Sequence, residues 1–405
     1  MRAEPDPPRL LAIVLVLGVT QNIGYGTLYY AYAILVPAVA AEFAVTASWL
    51  FGAFSVGLLA SGLMAPWVGA AMDRHGAPRL MVGGSLLAGL LVAALAMAPG
   101  PWMFAGLVVA LELVAVAVLY DAAFATLALV AGTQARRSIT HLTLLAGIAS
   151  TMFWPLTGWL VEVLGWRGTY GVYAALHLLV AIPLHGWLAW HTRTAWSHAV
   201  PAPAARPGGD GLLRGRAATL AFWGVAASFA LSGVIMSALS VHLVAVLQAM
   251  ALGTGAYLVA MLMGPAQVLI RLTDALFWRG LHPLGVGLLA AAVLPLAVLM
   301  LLLPLQAAVA GGVFAVLFGF GQGLSSIVRG TVPLALFGPE RFASRLGRLA
   351  AVRTVLGAGA PFLFAAGLEM IGPGGMLWAS VGIGVVATLP LLAVALAFGR
   401  GRPAA

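Results

Sequence analysis

Six ionisable side chains sit inside stretches of sequence that are otherwise apolar: Arg271, Arg329 and Arg353, and Glu112, Asp121 and Asp274. A charge at the centre of a membrane helix costs at least about 2.5–3.5 kcal/mol, so each is by default a candidate for function. Fixed cations beside a cavity suit an anionic solute, because a guanidinium grips a carboxylate through two parallel hydrogen bonds. Snorkelling is the competing reading for the arginines, which all lie within about ten residues of the cytoplasmic ends of their stretches.

Spacing adds detail. Asp274 follows Arg271 by three residues, so the two share a helix face and the carboxylate can neutralise the arginine. Glu112 and Asp121 are nine residues apart, about 900° of helical rotation, and face opposite sides. Both are candidate proton carriers, and His242, toward the outer end of its stretch, is a third. In the first apolar stretch Gln21, Tyr25, Tyr29 and Tyr32 step by four, four and three and form one polar-aromatic stripe. Tyrosines near a helix end serve as interfacial anchors. Gln21, Asn22 and Tyr25 lie at mid-stretch and are expected to line a solute cavity, whereas His177 and His185 are read as packing residues.

The elements that must position these residues are membrane helices. Of 405 residues, 62% are hydrophobic and 8% charged, where a soluble chain carries about 25% charge. A span needs roughly 20 apolar residues. Such stretches fall near 10–36, 47–71, 78–98, 102–131, 139–162 and 168–190, and again near 217–247, 254–278, 284–303, 306–336, 346–370 and 375–398. The expected fold is therefore an all-α integral membrane protein of twelve transmembrane helices in two pseudo-symmetric six-helix bundles. With the N-terminus placed in the cytoplasm, 16 of the 20 arginines fall in inside segments and only Arg167 outside. That distribution satisfies the positive-inside rule and puts both termini in the cytoplasm of a bacterial-type inner membrane. The net charge of +9 then reflects loops facing anionic lipid, and no nucleic-acid partner is called for.

Residues 191–216, rich in Pro, Ala, Gly and Arg, read as a cytoplasmic linker between an N-terminal half (1–190) and a C-terminal half (217–405). The halves echo one another. Leu127-Ala-Leu129 recurs as 334–336 and Glu162 recurs as Glu369, both at an offset of 207, while Pro155 matches Pro361 at 206. Duplication of this kind is a transporter architecture.

One loop is more specific. Gly69-Ala-Ala-Met-Asp73-Arg74-His75-Gly76-Ala77-Pro78-Arg79 lies between the second and third stretches. It resembles the G-x-x-x-D-[RK]-x-G-[RK]-[RK] signature of the major facilitator superfamily. Gly69, Asp73, Arg74 and Gly76 match, while Ala77 and Pro78 stand where the family has a basic pair. An Asp at a helix C-terminus is opposed by the dipole and needs a partner. The resemblance implies that this loop makes a state-dependent, gating contact. It also implies that the fourth and tenth helices are counterparts, which would make Asp121 and Arg329 a second gating pair; each could instead pair within its own half.

A further resemblance rests on His242, on Gly264-Pro-Ala-Gln267-Val-Leu-Ile-Arg271 and on Arg353. These look like the helix-eight and helix-eleven cations of monocarboxylate transporters and oxalate/formate antiporters. By that likeness Arg271 and Arg353 would bind a carboxylate, with Gln267 standing where the monocarboxylate carriers have an aspartate. Trp154-Pro155-Leu-Thr-Gly158 partly echoes the G-P-x-x-G-G motif of drug/proton antiporters and keeps an efflux reading open.

Other classes find less support. The absence of cysteine excludes disulfides and thiol chemistry. No phosphate-binding loop, catalytic constellation or filter-like re-entrant segment is present, so ATP-driven transport, a membrane enzyme and a channel are disfavoured. The expected protein is a monomeric secondary transporter without cofactor or metal. Its partners are the lipid bilayer, a small-molecule substrate such as a mono- or dicarboxylate, and a proton or counter-anion.

Overall fold

The computed structural model describes residues 7–197, 213–248, 256, 259, 261–278 and 280–398. Most of the expected linker, residues 198–212, lies outside the described residues. Among the described residues there is no strand. Helices form because the long apolar stretches leave the backbone no hydrogen-bond partner in hydrocarbon except itself. In chain order they are α1 (Pro7–Tyr25), α2 (Ala31–Phe43), α3 (Ala47–His75), α4 (Ala77–Ala96), α5 (Pro101–Ala115), α6 (Tyr120–Val130), α7 (Ala135–Ala146), α8 (Ala149–Leu176) and α9 (Ile182–Ser197). They continue with α10 (Gly215–Leu247), α11 (Met263–Phe277), α12 (Pro283–Met300), α13 (Ala307–Phe337), α14 (Phe342–Ala358) and α15 (Ala360–Phe398).

Among the described residues nine helical runs are long and apolar enough to cross a membrane. Large apolar side chains such as Trp67, Leu179 and Met370 stay exposed on them, as a surface solvated by lipid requires. Two of the nine runs, Gly132–Arg193 and Phe342–Phe398, are 62 and 57 residues long. Each is broken once by a glycine with φ near +70°: Gly165 (φ 67, ψ 174) and Gly372 (φ 70, ψ 174). This region of backbone space is essentially reserved for glycine. The two positions are 207 residues apart, the offset that also relates Glu162 to Glu369. The two breaks thus share a backbone conformation as well as that offset.

Packing divides the chain into two compact units, Met1–Arg206 with Pro339–Ala351, and Pro207–Gly338 with Val352–Ala405. The first unit has a core around Leu28, Leu35, Phe104, Leu111 and Tyr173. Its helix ends are held by a charged clamp. Arg167, just after the Gly165 break, forms an ion pair with Glu42 at 2.6 Å and donates to the Ala96 carbonyl at 2.9 Å. Trp166 donates to the other Glu42 oxygen at 2.6 Å, and the Arg167 guanidinium lies 4.2 Å from the Trp166 ring centroid. The arginine that stands apart from the basic segments is therefore a structural one. Widened π-type turns at Gly26–Tyr30 and His177–Ala181 meet where Thr27 and His177 share a hydrogen bond of 2.8 Å. The second unit packs its core around Leu239, Leu294, Phe314, Phe318 and Phe364.

Gly165→Ala forces a β-carbon into the glycine-only region and should destabilise the protein by about 1–3 kcal/mol, read as a lower unfolding midpoint in detergent. Gly83→Ala is the matched control. Gly83 is exposed within α4, and a β-carbon added there would meet nothing within 4 Å, so alanine should leave the midpoint unchanged or raise it. Equal midpoints for the two variants would contradict this account of the break.

Candidate functional site

The Gly69–Gly76 segment closes on the start of α14 within the first unit. Asp73 accepts hydrogen bonds from the backbone N–H of Ala343 at 3.1 Å and of Ser344 at 2.8 Å, and from the Ser344 hydroxyl. The first turn of a helix carries orphan N–H groups and positive dipole charge. Asp73 supplies what that terminus lacks, and the terminus supplies the partner that Asp73 needs. Backbones approach closely to allow it. A β-carbon on Gly69 would stand 2.3 Å from the Ala343 carbonyl oxygen, and one on Gly347 would stand 2.2 Å from the Ala65 carbonyl oxygen. Arg74 beside this contact is exposed, and Gly76 caps α3 at φ 94. Sequence reasoning singled out Gly69 and Asp73 but missed Ser344 and Gly347, about 270 residues away. The run of small residues Ala343-Ser344 with Gly347 was the available signal.

The second unit contains a small cavity between α10, α12, α13 and α14. Its polar lining is Ser228 and Ser232 from α10, Ser325 and Arg329 from α13, and Arg353 from α14, over a floor of small residues including Gly287 and Ala290. Two of the three buried-stretch arginines thus reach one cavity. The stem of Arg353 crosses α10 at Gly233, where a β-carbon would fall 2.9 Å from Arg353 Cγ. The third arginine, Arg271, is not part of that lining. It is 7% exposed and donates to Gln267 Oε1 at 3.4 Å and to the Gly323 carbonyl at 3.5 Å. Gln267 in turn donates to Gln322 at 2.8 Å.

The remaining predicted residues are spread through both units. Gln21 is fully buried and donates to the Val118 carbonyl at 2.7 Å. Val118 lies in the irregular turn between α5 and α6, so Gln21 satisfies a carbonyl that the helix break frees. Asn22 donates to the Gly18 carbonyl at 2.8 Å and to that of Leu145, near the end of α7, at 3.0 Å. Tyr25 is half-buried against the Tyr120 ring, 4.6 Å between centroids. Tyr32 is a core residue whose hydroxyl donates to the Leu50 carbonyl, while Tyr29 is exposed.

Glu112 is 5% exposed and packs on Gly57, whose β-carbon would fall 2.9 Å from Glu112 Cβ. Among the described residues nothing forms a hydrogen bond or ion pair with its carboxyl. Asp121 is half-buried in the first turn of α6, where the helix dipole favours its charge. It belongs to the first unit and Arg329 to the second. His242 is half-buried, hydrogen-bonds the Pro361 carbonyl at 3.0 Å and stacks on Phe364. His185 pairs with Ser85 at 2.8 Å.

The sequence model of the Major Facilitator Superfamily matches residues 19–361. No curated protein matches the chain. Among solved structures, the human organic anion transporter MFSD10 (TETRAN) is similar with a TM-score of 0.70 and 17% identity, over 95% of this chain and 100% of that one. The proton:xylose symporter XylE, bound to 6-bromo-6-deoxy-D-glucose, is similar with a TM-score of 0.69 and 11% identity, over 95% of both chains. At these identities the likeness shows the fold.

Asp73→Asn preserves shape but removes the charge from three hydrogen bonds. It should destabilise the protein by about 1.5–3 kcal/mol, seen as a lower unfolding midpoint. Gly347→Ala should do the same by forcing backbone against backbone. A wild-type midpoint in both variants would show that the contact between α3 and α14 is dispensable for stability.

Proposed function

The chain belongs to the major facilitator superfamily, whose members are secondary carriers, and we propose that it moves a small organic anion across the membrane by alternating access. One observation carries this reading: Arg329 and Arg353 line the same cavity. Two guanidinium groups facing a small space of low dielectric favour an oxyanion, and their planar forks suit a carboxylate. One similar structure is an organic anion transporter and another a proton:xylose symporter. The choice of an anion is therefore drawn from the cavity and not from the neighbours. In the same reading the chain has twelve spans with both termini cytoplasmic. The breaks at Gly165 and Gly372, each dividing a run long enough for two crossings, support the count.

Coupling to protons is assigned to Glu112. A carboxyl buried on Gly57 without a hydrogen-bond partner among the described residues has nothing nearby to balance a charge, and apolar surroundings penalise one. It can therefore carry a proton through a cycle in which its exposure changes. Asp121, in the first turn of α6, is the second candidate.

Purified protein in liposomes should show counterflow of mono- or dicarboxylates. Arg353→Gln or Arg329→Gln should weaken binding at least about tenfold, the loss of one charge-assisted contact. Arg353→Lys should restore only part of it, because the ammonium lacks the fork. A response to cationic drugs with none to any carboxylate would refute the anion reading and favour efflux of toxic compounds. For coupling, Glu112→Gln should bring the ratio of uptake with and without an imposed pH gradient to one. A gradient effect of wild-type size in that variant would remove Glu112 from the proton path.

A further inference from the structure

Beside the cavity α10 and α13 form a polar seam that a simple carboxylate would leave unused. On α10, Ser228, Ser232 and Ser240 are spaced by four and eight residues and share a face. On α13, Gln322, Ser325 and Arg329 are spaced by three and four and share another. The two faces meet in antiparallel order. Ser228 and Ser232 line the cavity with Ser325 and Arg329, and farther along Gln322 donates to Ser240 at 2.8 Å. Seven residues separate Arg329 from Gln322, about 10.5 Å along the helix axis.

The hydroxyls of this seam differ from others in the chain. Helical Ser and Thr side chains here commonly fold back onto a carbonyl three or four residues earlier, as in Thr126, Thr143, Ser326, Thr331 and Ser380. Ser228 does not. It is 1% exposed, it lines the cavity, and its hydroxyl has no hydrogen-bond partner among the described residues. An unsatisfied buried hydroxyl costs about 1–3 kcal/mol, so its retention at a cavity wall points to a ligand that completes it.

At the far end the amides are aligned head to tail. Arg271 donates to Gln267, Gln267 to Gln322, and Gln322 to Ser240, with separations of 3.4, 2.8 and 2.8 Å. Each amide keeps a second N–H, and Ser240, accepting through its oxygen, keeps its hydrogen to donate.

We propose that the transported anion is a polyhydroxylated carboxylate, of the sugar-acid class, bound lengthwise along this seam; the proposal rests on the organic-anion reading above. The carboxylate meets Arg329 and Arg353. Hydroxyls on the following carbons meet Ser228, Ser232 and Ser325, and the distal hydroxyl meets Gln322 and Ser240. A plain fatty acid of the same length would leave the Ser228 hydroxyl unsatisfied, and a neutral polyol would forgo the charge-assisted contacts with the two guanidinium groups.

The test is affinity of the full-length protein in nanodiscs for three six-carbon probes: D-gluconate, hexanoate and sorbitol. Gluconate should bind at least about tenfold more tightly than hexanoate, the yield of one or two well-made hydrogen bonds, with sorbitol weaker still. Ser228→Ala, Ser240→Ala and Gln322→Leu should each cut the gluconate-to-hexanoate preference at least about threefold. Ser228→Ala should at the same time leave the unfolding midpoint of the ligand-free protein unchanged or raised, because it removes an unsatisfied hydroxyl. A merely structural serine would lower it. Should Gln322→Leu fail to fold, the two alanine variants decide the matter.

Hexanoate binding as tightly as gluconate, with binding still dependent on Arg353, would overturn the sugar-acid assignment and leave the organic-anion reading standing. Sorbitol binding as tightly as gluconate and unaffected by Arg353→Gln would overturn both.

Discussion

Inside hydrocarbon a peptide group has no water to fall back on, and every N–H and C=O must be satisfied within the chain. The helices meet that requirement along their length and fail it wherever they stop or bend. Much of the polar chemistry in the first unit is spent on such places. Gln21 and Asn22 serve carbonyls near the ends of α5 and α7. Asp73 serves the first N–H groups of α14, and Thr46 caps α3 by accepting from Trp49. Polar residues that look surplus to a membrane helix are, at these positions, the reason that the helix can be interrupted.

The same constraint explains where glycine is indispensable. Gly165 and Gly372 carry a backbone turn that L side chains rarely adopt, and the two turns have nearly the same φ and ψ. Gly69 and Gly347 act differently. Their φ values are ordinary, and what they provide is contact between backbones with no side chain between them. Gly233 offers that kind of room to the stem of Arg353, so the position of a charged group in the cavity depends on the absence of a methyl group on the neighbouring helix.

Against this background the second unit's cavity stands out by chemistry. Many helical hydroxyls elsewhere are turned back onto their own backbone, and Arg167 is clamped by Glu42, Trp166 and Ala96. Beside Arg329 and Arg353 the buried Ser228 hydroxyl has no hydrogen-bond partner among the described residues. A hydroxyl left unsatisfied at a wall lined by small residues suits a carrier, since solute binding must be favourable in passing.

The sequence by itself determined the class of structure, an all-helical membrane protein. Apolar stretches of membrane length are a local, one-dimensional property, legible without coordinates. It also identified Asp73 as a charge in need of a partner, because a carboxylate at a helix C-terminus is unfavourable wherever it occurs. What it could not supply was the identity of partners. Helical periodicity says which residues share a face and nothing about which faces meet. Arg271 and Arg353 look like a pair by resemblance, yet the packing of α10, α13 and α14 brings Arg329 to Arg353 and leaves Arg271 among glutamines. Ser344 and Gly347, and the serines of the α10–α13 seam, carry no signature of their own; their roles come from residues about 80 to 280 positions away, and only tertiary packing brings those within reach.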